Sequence, residues 1–207
     1  MYARSTTIFA RPSLIDRGVA HVRERVMPVL QGIDGYIGLS LLADRRSGRC
    51  IVTSSWLDHD LMRASDRWIS PIRDETAVLF GGDIRVADWE IKALHRGRLT
   101  KRGAVARCTW VKADPDQLDR WVGNYRASAL PAMDSLDGFC SASLLVDRRS
   151  GRAVSCASFE HREAMDSTRD EATTLRADLL RMLGASQTDV GEFELALAHL
   201  RVPELVG

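Results

Sequence analysis

The stretch DGYIGLSLLADRRSGR at residues 34–49 returns as DGFCSASLLVDRRSGR at residues 137–152, and eleven of the sixteen aligned positions are identical. Similarity at this level marks an internal duplication, so the repeat is read before any local element. The match extends outward without a gap at an offset of 103: Thr6 falls on Thr109, Pro28 on Pro131 and Trp56 on Phe159. Near the end the offset becomes 104, where VADWEIKALH (86–95) meets VGEFELALAH (190–199). Two homologous domains follow, residues 1–97 and 104–207, joined by a basic linker at 98–103 that ends in glycine.

Within each repeat the apolar period changes in the same order. Residues 5–10 and 107–111 are short and rich in Thr, β-branched and aromatic side chains, as first strands are. Ile15, Val19, Val22, Val26 and Val29 then recur at three and four, as do Leu118, Val122, Tyr125, Ala129 and Ala132, which puts each set on one helix face. Pro12-Ser13 and Pro115-Asp116 supply start signals, with Ser13 and Asp114 as candidate N-caps. Asp-Gly turns lead into second strands at Tyr36 and Phe139. DRRSGR joins two apolar runs and so reads as a β-hairpin, its arginines solvated or paired with Asp44 and Asp147. A repeated phosphate motif is the weaker reading, because no helix N-terminus follows to supply backbone donors. Second helices are expected over residues 58–79 and 161–183, and final strands over 83–94 and 191–200.

The order is β-α-β-β-α-β twice. That is the ferredoxin-like split βαβ arrangement, an α+β fold with both helices on one face of an antiparallel sheet. The open face of each sheet needs cover, so the two βαββαβ repeats are expected to pack sheet to sheet as an intramolecular dimeric α/β-barrel, a single-chain pseudo-dimer free to dimerise further.

Composition narrows the partners. With 207 residues and 45% hydrophobic side chains the chain can fill real cores, and 29 basic against 28 acidic residues leave a net charge of +1. No global field is available to capture nucleic acid or an anionic membrane, so neither is an expected partner. The four cysteines show no CxxC spacing and no signal segment or long apolar run is present, which reads as a cytoplasmic protein with reduced thiols and no metal site. Cys50, Cys108, Cys140 and Cys156 are expected as small buried hydrophobes.

The stretches MPVLQGIDGYIGLSLLADRRSGRCIVTSSWLDHDLMRAS (27–65) and LPAMDSLDGFCSASLLVDRRSGRAVSCASFEHREAMDST (130–168) carry a family likeness. A proline late in the first helix, an apolar entry to strand two, a glycine-bearing hairpin and a Trp closing strand three resemble the antibiotic biosynthesis monooxygenase superfamily. The resemblance covers nearly all of both halves, and its motifs are structural rather than catalytic. It implies cofactor-independent oxygenation of a small aromatic or quinone-type substrate, with no cofactor, or else a non-catalytic module that binds a small molecule or haem. The haem-degrading members pair the strand-three Trp with an Asn on strand one and with a further Trp and a His on the following helix. Thr6 or Thr7, Ser65 and Glu75 stand there in the first half, and Phe159, Thr168 and Asp178 in the second, so that machinery is not expected.

A small-molecule site is expected at the rim where strand three hands over to helix two, lined by aromatics and a few polar groups. The first half offers Thr6, Trp56, His59 and Trp68 there, and the second Thr109, Tyr125, Phe159 and His161. Trp56 and His59 are the catalytic candidates, with Thr6, Trp68, Tyr125 and Phe159 as substrate contacts. Imidazole titrates near neutrality, so His59 suits a base; flanked by Asp58 and Asp60, it equally suits an exposed first turn of a helix. Trp56 reads either as rim or as core. Tyr125 replaces Val22 and marks either a polar pocket or simple packing. His95 and His199 match each other at strand ends, and His59 and His95 are the residues that a bound haem would need. The first half, with Trp56, His59 and Trp68, is expected to hold the site.

Overall fold

The computed structural model describes residues 1–200; the last seven residues of the second repeat, assigned to its domain from the sequence, lie outside the described residues. Eight strands are present: β1 (Tyr2–Phe9), β2 (Tyr36–Ala43), β3 (Arg49–Trp56), β4 (Ile84–Arg96), β5 (Val105–Lys112), β6 (Phe139–Asp147), β7 (Arg152–Phe159) and β8 (Ser186–Leu200). Between β1 and β2 run α1 (Ile15–His21), a π turn at Val22–Val26 and α2 (Met27–Gln31), and between β3 and β4 run α3 (His59–Ala64) and α4 (Asp66–Phe80). The second repeat matches with α5 (Leu118–Asn124), a π turn at Tyr125–Ala129, α6 (Leu130–Asp134), α7 (Arg162–Ser167) and α8 (Arg169–Leu183). The β-α-β-β-α-β order expected from the periodicities is therefore present twice.

Two compact units divide the chain, Met1–Trp89 with the segment from Phe193, and Glu90–Glu192. In the first, β3 lies between β1 and β2, with Thr6 opposite Val52 and Ser40 opposite Thr53, and the end of β8 adds to β2 with Leu39 opposite His199. In the second, β7 lies between β5 and β6, with Thr109 opposite Ser155 and Ser143 opposite Cys156, and the end of β4 adds to β6 with Leu94 opposite Ser143. Hydrogen bonding follows the order β1-β3-β2-β8-β5-β7-β6-β4 and closes as a barrel. The division falls within β4 and β8.

Both helix layers cover their sheets with the faces that the sequence marks as apolar. Ile15, Val19, Val22, Val26 and Leu30 join Ile8, Leu39, Leu41, Trp56, Met62 and Phe80 in one core, and Leu118, Trp121, Val122, Tyr125, Ala129 and Met133 join Leu144, Phe159 and Met165 in the other. Val29, assigned to the buried face from its spacing, is exposed. The π turns explain why. Pro28 and Pro131 lack the N–H that would bond four residues back, and each helix widens just before them, which rotates the following residues off the 3.6 period.

The expected long second helices are each two pieces. The break comes at Ser65 and Thr168, whose hydroxyls bond the carbonyls of Met62 and of Ala164 and Met165 in the turn before. Asp114 caps its helix as expected, accepting from the Asp116 amide. Ser13 does not: it lies inside a 3-10 turn, Pro12–Leu14, that begins after Arg11.

Candidate functional site

Helix layer and sheet leave a cavity in each unit, at equivalent positions. In the first unit it measures about 40 Å³, between Thr6, Ile8, Val52 and Ser54 of the sheet and Val22, Val26, Ile69 and Arg73 of the helices. In the second it measures about 90 Å³, between Arg107, Thr109, Ser155 and Phe159 on one side and Trp121, Tyr125, Leu175 and Arg176 on the other. The difference follows from the side chains that changed after duplication. Ser155 and Ala157 stand where the first repeat has Val52 and Ser54, and Ala172 stands for Ile69. Removing methylene groups from a wall leaves space unless the neighbours collapse into it.

Tyr125 gives that space a polar group. The π turn aims it at the sheet, where it is buried and its hydroxyl lies 2.9 Å from Ser155 Oγ. Burial pushes the phenol well above its usual range, so it stays protonated and serves as a hydrogen-bond donor rather than a base. Trp121, 5.8 Å from the Tyr125 ring, replaces Gly18. Its indole N–H is buried and has no hydrogen-bond partner among the described residues. Phe159 closes the same wall, packed edge-on against Phe139 at 6.2 Å. Thr109, Tyr125 and Phe159, set at this rim from the sequence, are thus brought together.

The first-repeat residues are not. Thr6 lines the smaller cavity, but Trp56 is 1% exposed in the core, packed against Tyr36 with its indole donating to Ser54 Oγ at 3.0 Å. His59 occupies the exposed first turn of α3 against the Tyr2 ring at 5.2 Å, the second of the two readings that its flanking aspartates left open. Trp68 is 58% exposed and lies on the outer surface under Arg67. A helix break at Ser65, invisible in the apolar spacing, re-aims everything after it, which separates Trp68 from the cavity. Of the two equivalent cavities the second is the larger and carries the phenol, while the first unit also has a separate, open cavity of about 550 Å³ lined by Trp68 with Ile33, Leu61, Ser65 and Ile72.

His161 caps α7 through its Nδ1, which accepts from the Ala164 amide at 3.2 Å. His95 and His199 keep equivalent posts in the two units. His95 Nε2 lies 2.8 Å from Asp134 and stacks on Phe139, and His199 Nε2 lies 3.2 Å from Gln31 Nε2, so each ties a final strand to the end of a first helix. Neither cavity has a histidine or cysteine among its lining residues. Three cysteines are buried as expected; burial pushes the Cys50 thiol up to about 11 and raises Cys140. Cys108 and Cys156, opposite each other on β5 and β7, bring their thiols within 2.7 Å, a proximity that spacing in sequence does not reveal.

Arg107 and Arg176 were missed as lining residues. A signal was present in the aligned repeats: both arginines are kept, at Arg4 and Arg73, while the acidic residue Asp66 between them becomes Arg169.

No family model matches the sequence. Two relatives do so over its full length. The chain is 56% identical over 206 residues to the uncharacterized protein Rv2557 of Mycobacterium tuberculosis H37Rv, covering 92% of that protein. It is also 56% identical over 207 residues to the uncharacterized protein Rv2558 of the same strain, covering 88%. Among solved structures, an anthrone oxidase-like protein superposes with a TM-score of 0.67 at 11% identity, over 97% of this chain and 92% of that one. A Listeria monocytogenes ferredoxin-fold protein related to antibiotic biosynthesis monooxygenases gives 0.54 at 8% identity, over 93% and 94%. The haem-degrading enzyme LmHde of the same organism gives 0.57 at 8%, over 94% and 99%. At such identities the structures speak for the fold alone. With its duplicated βαββαβ unit and closed sheet, the chain belongs to the family of the mycobacterial proteins Rv2557 and Rv2558 and has the tandem dimeric α/β-barrel fold of the antibiotic biosynthesis monooxygenase type.

Proposed function

We propose that the second repeat is a small-molecule binding unit, whose ligand lies in the cavity beneath α8 and presents an oxygen to the Tyr125–Ser155 pair. The observation that carries this reading is a buried phenol at the edge of an otherwise apolar space, within 2.9 Å of a serine hydroxyl and beside the unsatisfied Trp121 indole. An apolar cavity with a few convergent polar groups is the usual form of a ligand site. At about 90 Å³ the space is smaller than the ~150 Å³ cavity that accepts benzene. The cavity is open to one side, so a ligand of at most one ring, seated partly in its mouth, is the fitting class, and a haem macrocycle is not.

The reaction that the family resemblance implies for such a site is oxygenation of a small aromatic or quinone-type substrate without a cofactor. In that reaction a hydroquinone-like substrate loses a proton and gives electrons to oxygen, one oxygen atom enters the ring and the other leaves as water. Tyr125, protonated, supports it by donating a hydrogen bond to the oxygen that becomes anionic. No carboxylate or imidazole lines the cavity to take the proton, which favours the non-catalytic binding role over the oxygenase. Oxygen uptake with a panel of single-ring hydroquinones and phenols, beside thermal-shift binding of the same compounds, separates the two. Binding that shifts the melting temperature and is weakened in Tyr125→Phe, without uptake, supports the binding unit. Uptake that is lost in Tyr125→Phe and kept in His59→Ala supports the oxygenase. Neither response from any compound overturns both readings.

A further inference from the structure

The equivalent cavities carry different charge. In the first unit the two lining arginines are matched by two aspartates. Arg4 bonds Asp88 at 2.6 Å and also Asp66, and Arg73 bonds Asp66 at 3.0 Å. In the second unit Glu192 stands for Asp88, but Arg169 stands for Asp66. One substitution removes a carboxylate and adds a guanidinium.

Glu192 is then shared among Arg107 at 3.1 Å, Arg162 at 3.0 Å and Arg169 at 2.9 Å. Although burial opposes its charge, the hydrogen bonds from Arg169 and Arg107 hold its carboxyl below the usual range. Arg107 also donates to the Met165 carbonyl. Nothing acidic remains for Arg176. Its guanidinium reaches only Thr173 Oγ1 on its own helix, at 3.3 Å, and among the described residues no carboxylate lies within ion-pair distance of it. Burial, and after it the charge of Arg107, lower its proton affinity, which places the two cations close enough to repel. A half-buried guanidinium beside a second one, over an apolar wall, is an arrangement that an anion relieves.

We propose that the second-repeat cavity selects a small organic carboxylate, with its apolar body between Tyr125 and Phe159 and its carboxylate on the guanidiniums of Arg176 and Arg107. Guanidinium forks match carboxylate geometry in paired hydrogen bonds, and these are stronger than neutral ones. Ser155, Tyr125 and the Trp121 indole N–H serve a second polar atom on the body. The first unit, with the same arginines neutralised by Asp66 and Asp88, lacks this selectivity. The inference rests on the cavity being the binding site and adds to it the charge of the ligand.

The test compares benzoate with benzyl alcohol, nearly equal in size and different in charge, by titration calorimetry on the full chain, with inorganic phosphate as a competitor. Benzoate is expected to bind at least tenfold tighter than the alcohol, and phosphate is expected not to displace it at equal concentration. Arg176→Gln removes the preference by weakening benzoate at least tenfold more than the alcohol. So does Arg169→Asp, which returns to α8 the carboxylate that neutralises this arginine in the first repeat and does not depend on the tolerance of position 176. Arg73→Gln, in the other unit, leaves the preference intact. Equal binding of the two compounds, or a preference that survives both second-repeat variants, overturns the carboxylate assignment while the cavity reading stands. Displacement by phosphate overturns it also, since the site would then recognise an anion without a body. If neither compound binds, the cavity reading itself fails.

Discussion

Gly48 and Gly151 hold the two DRRSGR turns against the ends of β1 and β5. Both have positive φ, 80° and 71°, and a Cβ on either would come within 2.2 Å of the carbonyl of Ala10 or Ala113. Gly48→Ala and Gly151→Ala should each cost about 2 kcal/mol or more, because a left-handed backbone and a backbone clash add; urea midpoints check this, and a loss near zero would contradict it. The turn itself was legible from six residues between two apolar runs. Its arginines were legible only in part: Arg152 pairs with Asp147 at 3.0 Å as expected, but Arg45 leaves Asp44 for Asp16 and Glu194, and Arg148 leaves Asp147 for Asp119 and Glu90. Those carboxylates come from a helix start and from a final strand distant in sequence, so local reading had no access to them. Tyr125→Phe strands the Ser155 hydroxyl and should cost about 1–2 kcal/mol; the equivalent Val22→Leu test, made in a tighter space, reports overpacking instead.

Helix starts and breaks set where the candidate side chains point. Asp58 caps α3 by accepting from Leu61 N–H at 2.8 Å, so Asp58→Ala should lower stability by about 1 kcal/mol. His161→Ala should cost less, because its imidazole makes the same bond over a longer 3.2 Å. Apolar spacing showed that a helix follows β3 and β7, and it located the start. It did not show the interruption at Ser65 and Thr168, because a hydroxyl bonding back to its own turn changes no hydrophobic position. That interruption separates the exposed Trp68 from the rim where the sequence placed it. The π turns escaped notice for the same reason, although Pro28 and Pro131 were visible, and one of them delivers Tyr125 to the cavity.

For the molecule as a whole, duplication was legible and asymmetry was only partly so. An offset of 103 residues is enough to recover two βαββαβ units and the barrel they close. The size and charge of the two equivalent cavities depend on small changes, Val52 to Ser155, Ile69 to Ala172 and Asp66 to Arg169, whose effect is felt only once those positions share a wall. Stability should vary with pH through the carboxylates that final strands and hairpins hold on arginines. Burial works against the charged forms of Glu90, Glu192, Asp44 and Asp147, yet hydrogen bonds from arginine, lysine, serine and backbone partners leave all four below their ordinary values. A carboxylate depressed on folding contributes stability that is fully present above its ordinary value, 4.5 for Glu and 3.8 for Asp, and lost as pH falls through the folded value. Urea midpoints should therefore be level from pH 7 to about 5.5 and fall steadily below about 4.5; a midpoint that rises on acidification would contradict the assignment.

The central claim is that the second repeat, and not the first, holds the ligand. Amide chemical-shift mapping of the labelled chain during titration with benzoate tests it most directly. Shifts are expected to cluster on Thr109, Tyr125, Ser155 and Arg176 and to spare their first-repeat counterparts Thr6, Val22, Val52 and Arg73. Shifts centred on the first-repeat positions, or spread equally over both sets, would contradict it.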